Sequence, residues 1–208
     1  MSRSEPVDKT YEEEDDTELD EKMRRNPHLF AAERVPKRMI AYDWANGYVS
    51  PFVSSGQETV QRILSAANVS ASDVLYDLGC GEGEFLIAAA KLRGCQGVGV
   101  DLDEDLIEQA REFARAEGVA TMVDFRCCDL RQVCFDSASV VIVFLLPAAL
   151  AVISQHLVNY IQSHPEGLLV SVMWELTACN DWELRRYPGD EACGARPFFV
   201  YGLNRKPI

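Results

Sequence analysis

The sequence lacks an apolar run long enough to cross a membrane. Its longest strongly apolar stretch, residues 140–153, contains Pro147 and falls short of the ~20 residues that a transmembrane helix needs. Its first residues lack the apolar core of a secretory signal and are too acidic for a mitochondrial presequence. These absences predict a soluble, intracellular protein, with the cytoplasm as its expected location.

Paired metal-binding motifs are also missing. The 7 cysteines form no C-x-x-C pair, and the 3 histidines have no metal-ligand spacing. An odd number of cysteines without such pairs argues against both a disulfide framework and a zinc ribbon. We therefore expect a reduced protein with no metal site.

Positive charge is scarce. The chain carries 33 acidic and 20 basic side chains, a formal net charge of −13. Residues 41–208 alone hold 22 acidic and 12 basic side chains and contribute −10. Since carboxylates repel phosphate backbones, nucleic acid is a poor candidate partner. A cationic protein segment or a small molecule fits this charge better.

Composition divides the chain into three parts. Residues 1–25 are charged and poor in apolar side chains, which predicts a disordered acidic tail. The acidic run at 12–16 is either a solvated surface or a docking segment. Residues 26–56 hold five aromatic side chains, too many for a linker, and are predicted to pack on the domain. Regular periodicity then makes residues 57–208 the predicted domain.

Apolar periodicity predicts helices and strands in alternation. The predicted helices are 57–67, 84–93, 104–117 and 148–163. The predicted strands that accompany them are 73–80, 97–102, 122–127, 139–146 and 168–174. Leu92 and Phe113 fall on the apolar faces of their helices. Such alternation implies an α/β fold with a doubly wound, mostly parallel, Rossmann-like sheet. Two more strands, 182–187 and 197–203, are joined too tightly for a crossover helix, which predicts seven strands ending in an antiparallel C-terminal hairpin.

The most informative segment is Asp77-Leu-Gly79-Cys80-Gly81-Glu82-Gly83, which ends the first predicted strand and opens a helix. Glycines there let the backbone turn sharply and approach a ligand. Asp101 closes the second strand, where a carboxylate can accept both hydroxyls of a ribose. Asp129 closes the third strand. Three acids therefore converge on the edge where open α/β sheets bind ligands.

The glycine loop also discriminates among cofactors. Its D-x-G-x-G-x-G spacing differs from the dinucleotide pattern, and no Lys or Arg lies within 74–90 to compensate phosphates. S-adenosylmethionine (SAM) has no phosphate but carries a sulfonium, an ammonium and one carboxylate. The acids Asp77, Glu82 and Glu84 suit these cations. The sequence therefore favours SAM over NAD.

These segments resemble the motifs of class I SAM-dependent methyltransferases. Residues 77–83 are similar to the first motif, 97–101 to the second and 125–129 to the adenine-contacting segment, within a resemblance that covers about residues 50–205. The resemblance implies SAM as cofactor, held by eight residues: Asp77, Gly79, Cys80, Gly81, Asp101, Leu102, Cys128 and Asp129.

The same resemblance implies individual roles for these residues. Gly79 and Gly81 would line the methionine part of SAM, and Asp101 would hold the ribose. Cys128 and Asp129 would border the adenine, with Asp129 receiving its exocyclic amine.

Four further segments are similar to one subgroup of this class. Residues 51–55, 76–79, 143–147 and 181–182 resemble the small protein-lysine methyltransferases that modify mitochondrial inner-membrane proteins, and their bacterial relatives. The resemblance implies lysine N-methylation of a protein substrate and leaves a mitochondrial location open. Two features depart from the subgroup: Cys80-Gly-Glu replaces its usual Ser-Gly-Asp, and an acidic tail replaces its membrane-inserting segment.

The segment after the fourth strand, residues 144–147, offers no side-chain acceptor for a planar amide or amine. This argues against nucleobase and glutamine substrates, whose enzymes usually carry Asn/Asp-Pro-Pro-aromatic there. Lysine methylation needs an apolar channel that aligns a free amine. Phe144 and Pro147 are the substrate-side candidates within this segment. Six further residues are candidates for an aromatic and acidic rim: Tyr48, Phe52, Trp174, Glu175, Asp181 and Trp182. The aromatic residues also fit core positions, and the sequence indicates no catalytic base.

Two alternatives remain open: a methyltransferase of small molecules and a non-catalytic scaffold with the same fold. The short span between the fifth strand and the last hairpin leaves little room to enclose a metabolite. The intact glycine loop and Asp101 favour an enzyme over a scaffold.

Overall fold

The computed structural model describes residues 56–179 and 182–202. The predictions for the acidic tail and, apart from Gly56, for the segment that follows it lie outside the described residues. The described helices are α1 (Gln57–Ala66), α2 (Glu84–Arg93), α3 (Glu104–Ala116) and α4 (Pro147–Ser163). The strands are β1 (Val74–Leu78), β2 (Gln96–Asp101), β3 (Val123–Cys127), β4 (Val140–Val143), β5 (Leu168–Val172), β6 (Glu183–Tyr187) and β7 (Phe198–Gly202). Two 3-10 helices, Leu130–Gln132 and Thr177–Cys179, lie in the connecting loops.

The seven described strands form one sheet in the order β3-β2-β1-β4-β5-β7-β6. The first five pair in parallel, and β7 pairs antiparallel with both β5 and β6. This confirms the predicted doubly wound sheet with an antiparallel C-terminal hairpin. The strand order reverses between β1 and β4, so the carboxyl ends of these strands border the crevice in which such sheets bind ligands.

Helices cover both faces of the sheet. α1, α2 and α3 bury Ile63, Leu86 and Ile107 in one apolar cluster against it. α4 buries Leu157 on the opposite face, in a second cluster that includes Tyr201. The central strands β4 and β5 are therefore buried on both sides and read as continuous apolar runs.

Local signals place the helices. The face of α1 predicted from periodicity, with Val60, Ile63 and Leu64, is fully buried. Asp103 caps the N-terminus of α3: its carboxylate accepts hydrogen bonds from the backbone N–H groups of Asp105 and Leu106 at 3.0 and 3.3 Å. This cap satisfies two of the donors that a helix N-terminus leaves without partners.

Two apolar side chains differ from their predicted placement. Leu92, near the end of α2, is 52% exposed, and Phe113 on α3 is 37% exposed. Periodicity assigns a residue to a face of its helix, but it does not say how far the sheet extends beneath that face. The expectation that Phe113 points inward was therefore wrong, and Leu92 is half exposed although it shares the apolar spacing of its helix.

Two strands end earlier than predicted. β4 stops at Val143, so residues 144–146 form a loop before α4 begins at Pro147. β5 stops at Val172, and the next residue, Met173, has a left-handed backbone with φ 72°. Both corrections lengthen the loops at the carboxyl edge of the sheet, which is the edge that carries the glycine loop.

Candidate functional site

The glycine loop lies between β1 and α2. Gly79, Gly81 and Gly83 have φ values of 88°, 50° and 76°, the left-handed region that glycine enters without steric cost. The N–H groups of Gly79 and Cys80 both donate to the carbonyl of Val100 on β2, at 2.8 and 3.0 Å. The loop is therefore fixed to the neighbouring strand while it turns into the helix.

Space as well as conformation requires glycine in this loop. A Cβ atom on Gly79 would lie 2.8 Å from Cδ2 of Leu145, and one on Gly83 would overlap the ring of Phe125. On β2, a Cβ atom on Gly99 would lie 2.8 Å from Sγ of Cys80. These contacts show that the loop lies directly against Leu145, which belongs to the segment predicted to face the substrate.

Asp101 joins the end of β2 to the glycine loop. Its Oδ2 accepts a hydrogen bond from the N–H of Gly81 at 2.9 Å, and its Oδ1 accepts one from the N–H of Asp103 at 3.1 Å. Burial raises the pKa of Asp101, while the backbone donors, led by Asp103, oppose the rise. Each oxygen can accept a second hydrogen bond, so the carboxylate can still receive two hydroxyls.

Asp77, at the end of β1, is a buried carboxyl with only 6% of its surface exposed. Burial, followed by the negative charges of Asp101 and Glu84, raises the pKa of Asp77 from 3.8 to about 7. Burial also raises the pKa of the Cys80 thiol, with the charges of Asp77 and Asp101 adding to the effect. Asp77, Asp101 and Glu84 thus form a negative region beside the glycine loop, which a bound cation would stabilise.

The residues predicted to border the adenine lie between the ends of β2 and β3. The N–H of Cys128 donates to the carbonyl of Asp101 at 2.9 Å, and Sγ of Cys127 donates to the carbonyl of Leu102 at 3.5 Å. These bonds hold the two loops side by side. That Leu102 binds the cofactor and that Cys128 borders the adenine stay predictions.

Asp129 has a second role that its motif does not indicate. Its carboxylate accepts hydrogen bonds from the backbone N–H of Arg131 at 2.8 Å and from Nε of the same residue at 2.9 Å. These bonds, with the Arg131 side chain as the largest cause, lower the pKa of Asp129. An adenine amine would therefore share this carboxylate with Arg131.

The loop after β4 supplies the predicted substrate-facing residues. Phe144 is half-buried against the first apolar cluster, Leu145 is buried, and Pro147 is exposed as the first residue of α4. The side chains of this loop are apolar, as the sequence predicted. They lie at the carboxyl end of β4, next to the strand that carries the glycine loop.

The turn after β5 presents Trp174 at the same edge, with 40% of its surface exposed. The left-handed Met173 donates its N–H to the carbonyl of Pro197 at 2.8 Å, and Oγ of Ser171 donates to the carbonyl of Trp174 at 2.6 Å. Such a conformation in a residue other than glycine persists only where neighbouring contacts enforce it. The turn is therefore a rigid support for Trp174.

The remaining predicted rim residues divide into two groups. Glu175 accepts hydrogen bonds from Arg186 at 2.6 and 3.1 Å, and Trp182 packs on the second apolar cluster, so both have structural roles. Tyr48, Phe52 and Asp181 lie outside the described residues. The assignment of these five residues to a substrate rim stays a prediction.

Sequence reasoning missed Arg196, which lies between the bridge at Ala195 and β7. Its guanidinium lies over the ring of Phe144 at 5.0 Å, and its backbone N–H donates to Oγ1 of Thr59 at 3.0 Å. Burial lowers the pKa of Arg196, and the charge of Glu84 opposes that effect. No periodic pattern marks this residue, because the hairpin alone brings it to the carboxyl edge.

The fold and the glycine loop together define a Rossmann-like methyltransferase of class I. The profile of the ANTKMT methyltransferase domain matches residues 77–183, about half of the chain. The chain belongs to this family, and the class expected from the sequence is confirmed.

Several relatives carry names that bear on substrate. A protein-lysine N-methyltransferase of Saccharolobus islandicus is 35% identical over 46% of this chain and 60% of its own length. A human lysine N-methyltransferase, whose name gives an ATP synthase component as its target, is 33% identical over 47% of this chain and 41% of its own length. The chain thus spans less than two thirds of these curated relatives.

A solved structure covers more of the fold. The RNA methyltransferase of Salinibacter ruber, in complex with S-adenosyl-L-homocysteine, is 32% identical, with a TM-score of 0.65 over 74% of this chain and 97% of that one. S-adenosyl-L-homocysteine is what SAM becomes after it gives up its methyl group. The cofactor expected from the sequence therefore agrees with the ligand of this neighbour.

Two absences hold for the part of the chain that the structure describes. None of its helices combines the length and apolar character that crossing a bilayer requires. Across residues 56–179 and 182–202, no group of three or more His, Cys, Asp and Glu side chains is arranged to hold a metal ion.

Proposed function

We propose that this chain is a SAM-dependent protein methyltransferase that N-methylates lysine side chains. The observation that carries the proposal is the contact between Leu145 and Gly79, which places an apolar segment directly against the glycine loop. The names of the curated relatives support a lysine substrate. The net negative charge of residues 41–208 supports a cationic protein segment as the partner.

The chain's own residues suit SAM. Asp101 would accept the ribose hydroxyls, and Gly79 and Gly81 leave room for the methionine part along the loop. The negative region at Asp77 and Glu84 would stabilise the ammonium and sulfonium of this ligand, whereas it would repel a pyrophosphate.

Bound SAM supplies a methyl group on a sulfonium, an electrophile that a neutral amine can attack. The chain's contribution is to deliver that amine without water. A lysine ammonium that enters beside Phe144, Leu145 and Pro147 loses its hydration, which lowers its pKa and favours release of the proton to solvent. Phe144 and Leu145 would then orient the free amine towards the glycine loop.

RNA is a second candidate substrate, because the Salinibacter ruber relative is named an RNA methyltransferase. Two features weigh against it. Residues 41–208 carry 22 acidic and 12 basic side chains, and the β4 loop has no side-chain acceptor to orient a base amine. Protein is therefore the substrate that we propose.

The test is transfer of label from tritiated-methyl SAM to a cell extract by the purified full-length chain. We expect label in the protein fraction, recovered as methyl-lysine after hydrolysis and mass spectrometry. The Asp101→Ala variant should lose it. Asp103→Ala removes the side-chain cap of α3 but keeps the backbone N–H that donates to Asp101, so it should retain the label.

Other outcomes would contradict the proposal in identifiable ways. Label in the RNA fraction would identify RNA as the substrate, and label in the small-molecule fraction would identify a metabolite as the substrate. A folded chain that binds SAM and labels none of the three would support the scaffold alternative.

A further inference from the structure

Charged side chains follow one another along the carboxyl edge of the sheet. Asp101 lies at the end of β2, bonded to the glycine loop. Asp77 lies near enough to interact electrostatically with both Asp101 and Glu84, and Glu84 in turn interacts with Arg196. Three carboxyl groups therefore lie around this edge, and Arg196, whose guanidinium lies over Phe144 in the β4 loop, adds a positive charge to them.

Arg196 is held at this edge of the sheet by contacts with three separate elements. Its backbone N–H donates to Thr59 on α1, and its guanidinium lies over Phe144 in the β4 loop. The next residue, Pro197, accepts a hydrogen bond from Met173 at the end of β5. The position of the cation is thus fixed by α1, β4 and β5 together.

SAM carries charges of both signs. From the ribose outwards come the diol, the sulfonium, and an amino acid end that holds an ammonium and a carboxylate. With the ribose at Asp101, the cations of SAM would lie near Asp77 and Glu84. Arg196 lies over Phe144, the neighbour of the Leu145 that lies against Gly79, so it is the cation that the carboxylate would meet there.

We propose that Arg196 binds the carboxylate of the methionine part of SAM. The inference rests on the proposed placement of SAM along the glycine loop, and it does not depend on which substrate is methylated. A guanidinium is protonated at physiological pH and can donate two parallel hydrogen bonds to a carboxylate. Half-buried beside Phe144, it would form these bonds with less competition from water than an exposed arginine.

The test compares SAM with decarboxylated SAM, which keeps the ammonium and sulfonium but lacks the carboxylate. Isothermal calorimetry on the full-length chain should show that Arg196→Met weakens SAM binding by about 10–100-fold, the equivalent of one charge-assisted contact. The affinity of the variant for decarboxylated SAM should stay within about threefold of that of the unmodified chain, because decarboxylated SAM has no carboxylate to contact Arg196. Arg196→Lys should restore part of the SAM affinity.

Arg62→Met is the matched control. Arg62 also lies over an aromatic ring, that of Phe198 at 5.8 Å, and donates to the carbonyl of Pro188 in the same hairpin at 2.8 Å. If Arg196 only held the hairpin in place, both substitutions would lower the unfolding temperature. Both would also weaken the binding of SAM and of decarboxylated SAM to the same extent. That result would overturn the proposal.

The Asp101→Ala variant tests the placement of SAM separately from the role of Arg196. It should weaken the binding of SAM and of decarboxylated SAM to the same extent, because both contain the ribose. The ratio of the two affinities should therefore stay unchanged. Unchanged affinity for both ligands in Asp101→Ala would overturn the placement of SAM. If Arg196→Met does not reduce the ratio of the affinity for SAM to the affinity for decarboxylated SAM, the proposed role of Arg196 is wrong.

Discussion

The carboxylate of Asp101 accepts a hydrogen bond from the backbone N–H of Gly81 at 2.9 Å. This bond connects the end of β2 to the loop that follows β1, and it explains why an acid and a glycine 20 residues apart belong to one site. The side chain proposed to hold the ribose is also the one that fixes the loop. Loss of Asp101 would therefore affect two parts of the cofactor site at once.

Asp101→Ala is expected to weaken SAM binding by about 1.5–3 kcal/mol, the cost of a hydrogen bond to a charged group. Calorimetric titration with SAM measures this directly. Asp103→Ala is the matched control, because Asp103 caps α3 from two residues away. It should lower the unfolding free energy by about 1 kcal/mol and leave SAM affinity unchanged within a few-fold. Equal affinities for Asp101→Ala and the unmodified chain would contradict the ribose assignment.

Asp77→Asn is expected to stabilise the fold in a pH-dependent way. The pKa of Asp77 rises from 3.8 to about 7 on folding, so the folded chain binds this proton more tightly than the unfolded chain does. The stabilisation by the protonated form is complete below pH 3.8 and is lost as the pH rises to about 7. Asparagine, which stays neutral, should therefore be more stable by about 2–4 kcal/mol at pH 8 and equal to aspartate near pH 4.

Urea unfolding of both chains between pH 4 and pH 8 measures this difference. Asp73→Asn is a suitable control, since Asp73 is also buried but accepts hydrogen bonds from Ser70 and Ser139 at 2.8 and 2.9 Å. That variant should be destabilised. A stability gain for Asp77→Asn should come with weaker SAM binding, because the charge that costs stability is the one that attracts the cations of SAM.

Gly83→Ala is expected to destabilise the fold for two separable reasons. Gly83 has φ 76°, and its Cβ atom would overlap the ring of Phe125. Gly118→Ala isolates the first reason, because Gly118 has φ 73° with nothing within 4 Å of its Cβ atom. Thermal unfolding should show about 1 kcal/mol of loss for Gly118→Ala and about 1–3 kcal/mol more for Gly83→Ala. Equal losses would mean that Phe125 moves aside without cost.

Substitutions at Met173 test the left-handed turn that supports Trp174. At an ordinary strand position alanine is more stable than glycine, but at φ 72° the order should reverse. Met173→Gly is therefore expected to exceed Met173→Ala in unfolding free energy by about 1–2 kcal/mol. Chemical denaturation of the two variants gives the comparison, and the same loss of methionine packing cancels between them. A more stable alanine variant would show that the turn relaxes.

The parts of this molecule that sequence reasoning predicted are those with a repeated or local signal. The glycine loop, the helical face of α1 and the parallel strands follow from periodicity and from glycine spacing. Leu92 and Phe113 share the apolar spacing of α2 and α3 and yet are exposed, because spacing does not show where the covered part of a helix face ends. Such a boundary is set by tertiary packing and leaves no mark on the local pattern.

Arg196 could not have been predicted for a different reason. It lies far from the glycine loop in the sequence, in a turn-rich segment with no periodic signal. Only the pairing of β7 with β5 brings it over Phe144. The pairing of Asp129 with Arg131 was also missed, because a motif assigns one partner to a carboxylate and the local backbone can supply another.

The position of β7 between β5 and β6 has a consequence for biosynthesis. A ribosome releases the glycine loop and all five parallel strands before it releases the hairpin, so the nascent chain leaves β5 as a bare edge for that interval. Every residue of β5 is buried in the finished fold, and most of them are apolar. Such an edge invites pairing with other chains until β7 covers it, which makes chaperone protection most valuable late in synthesis.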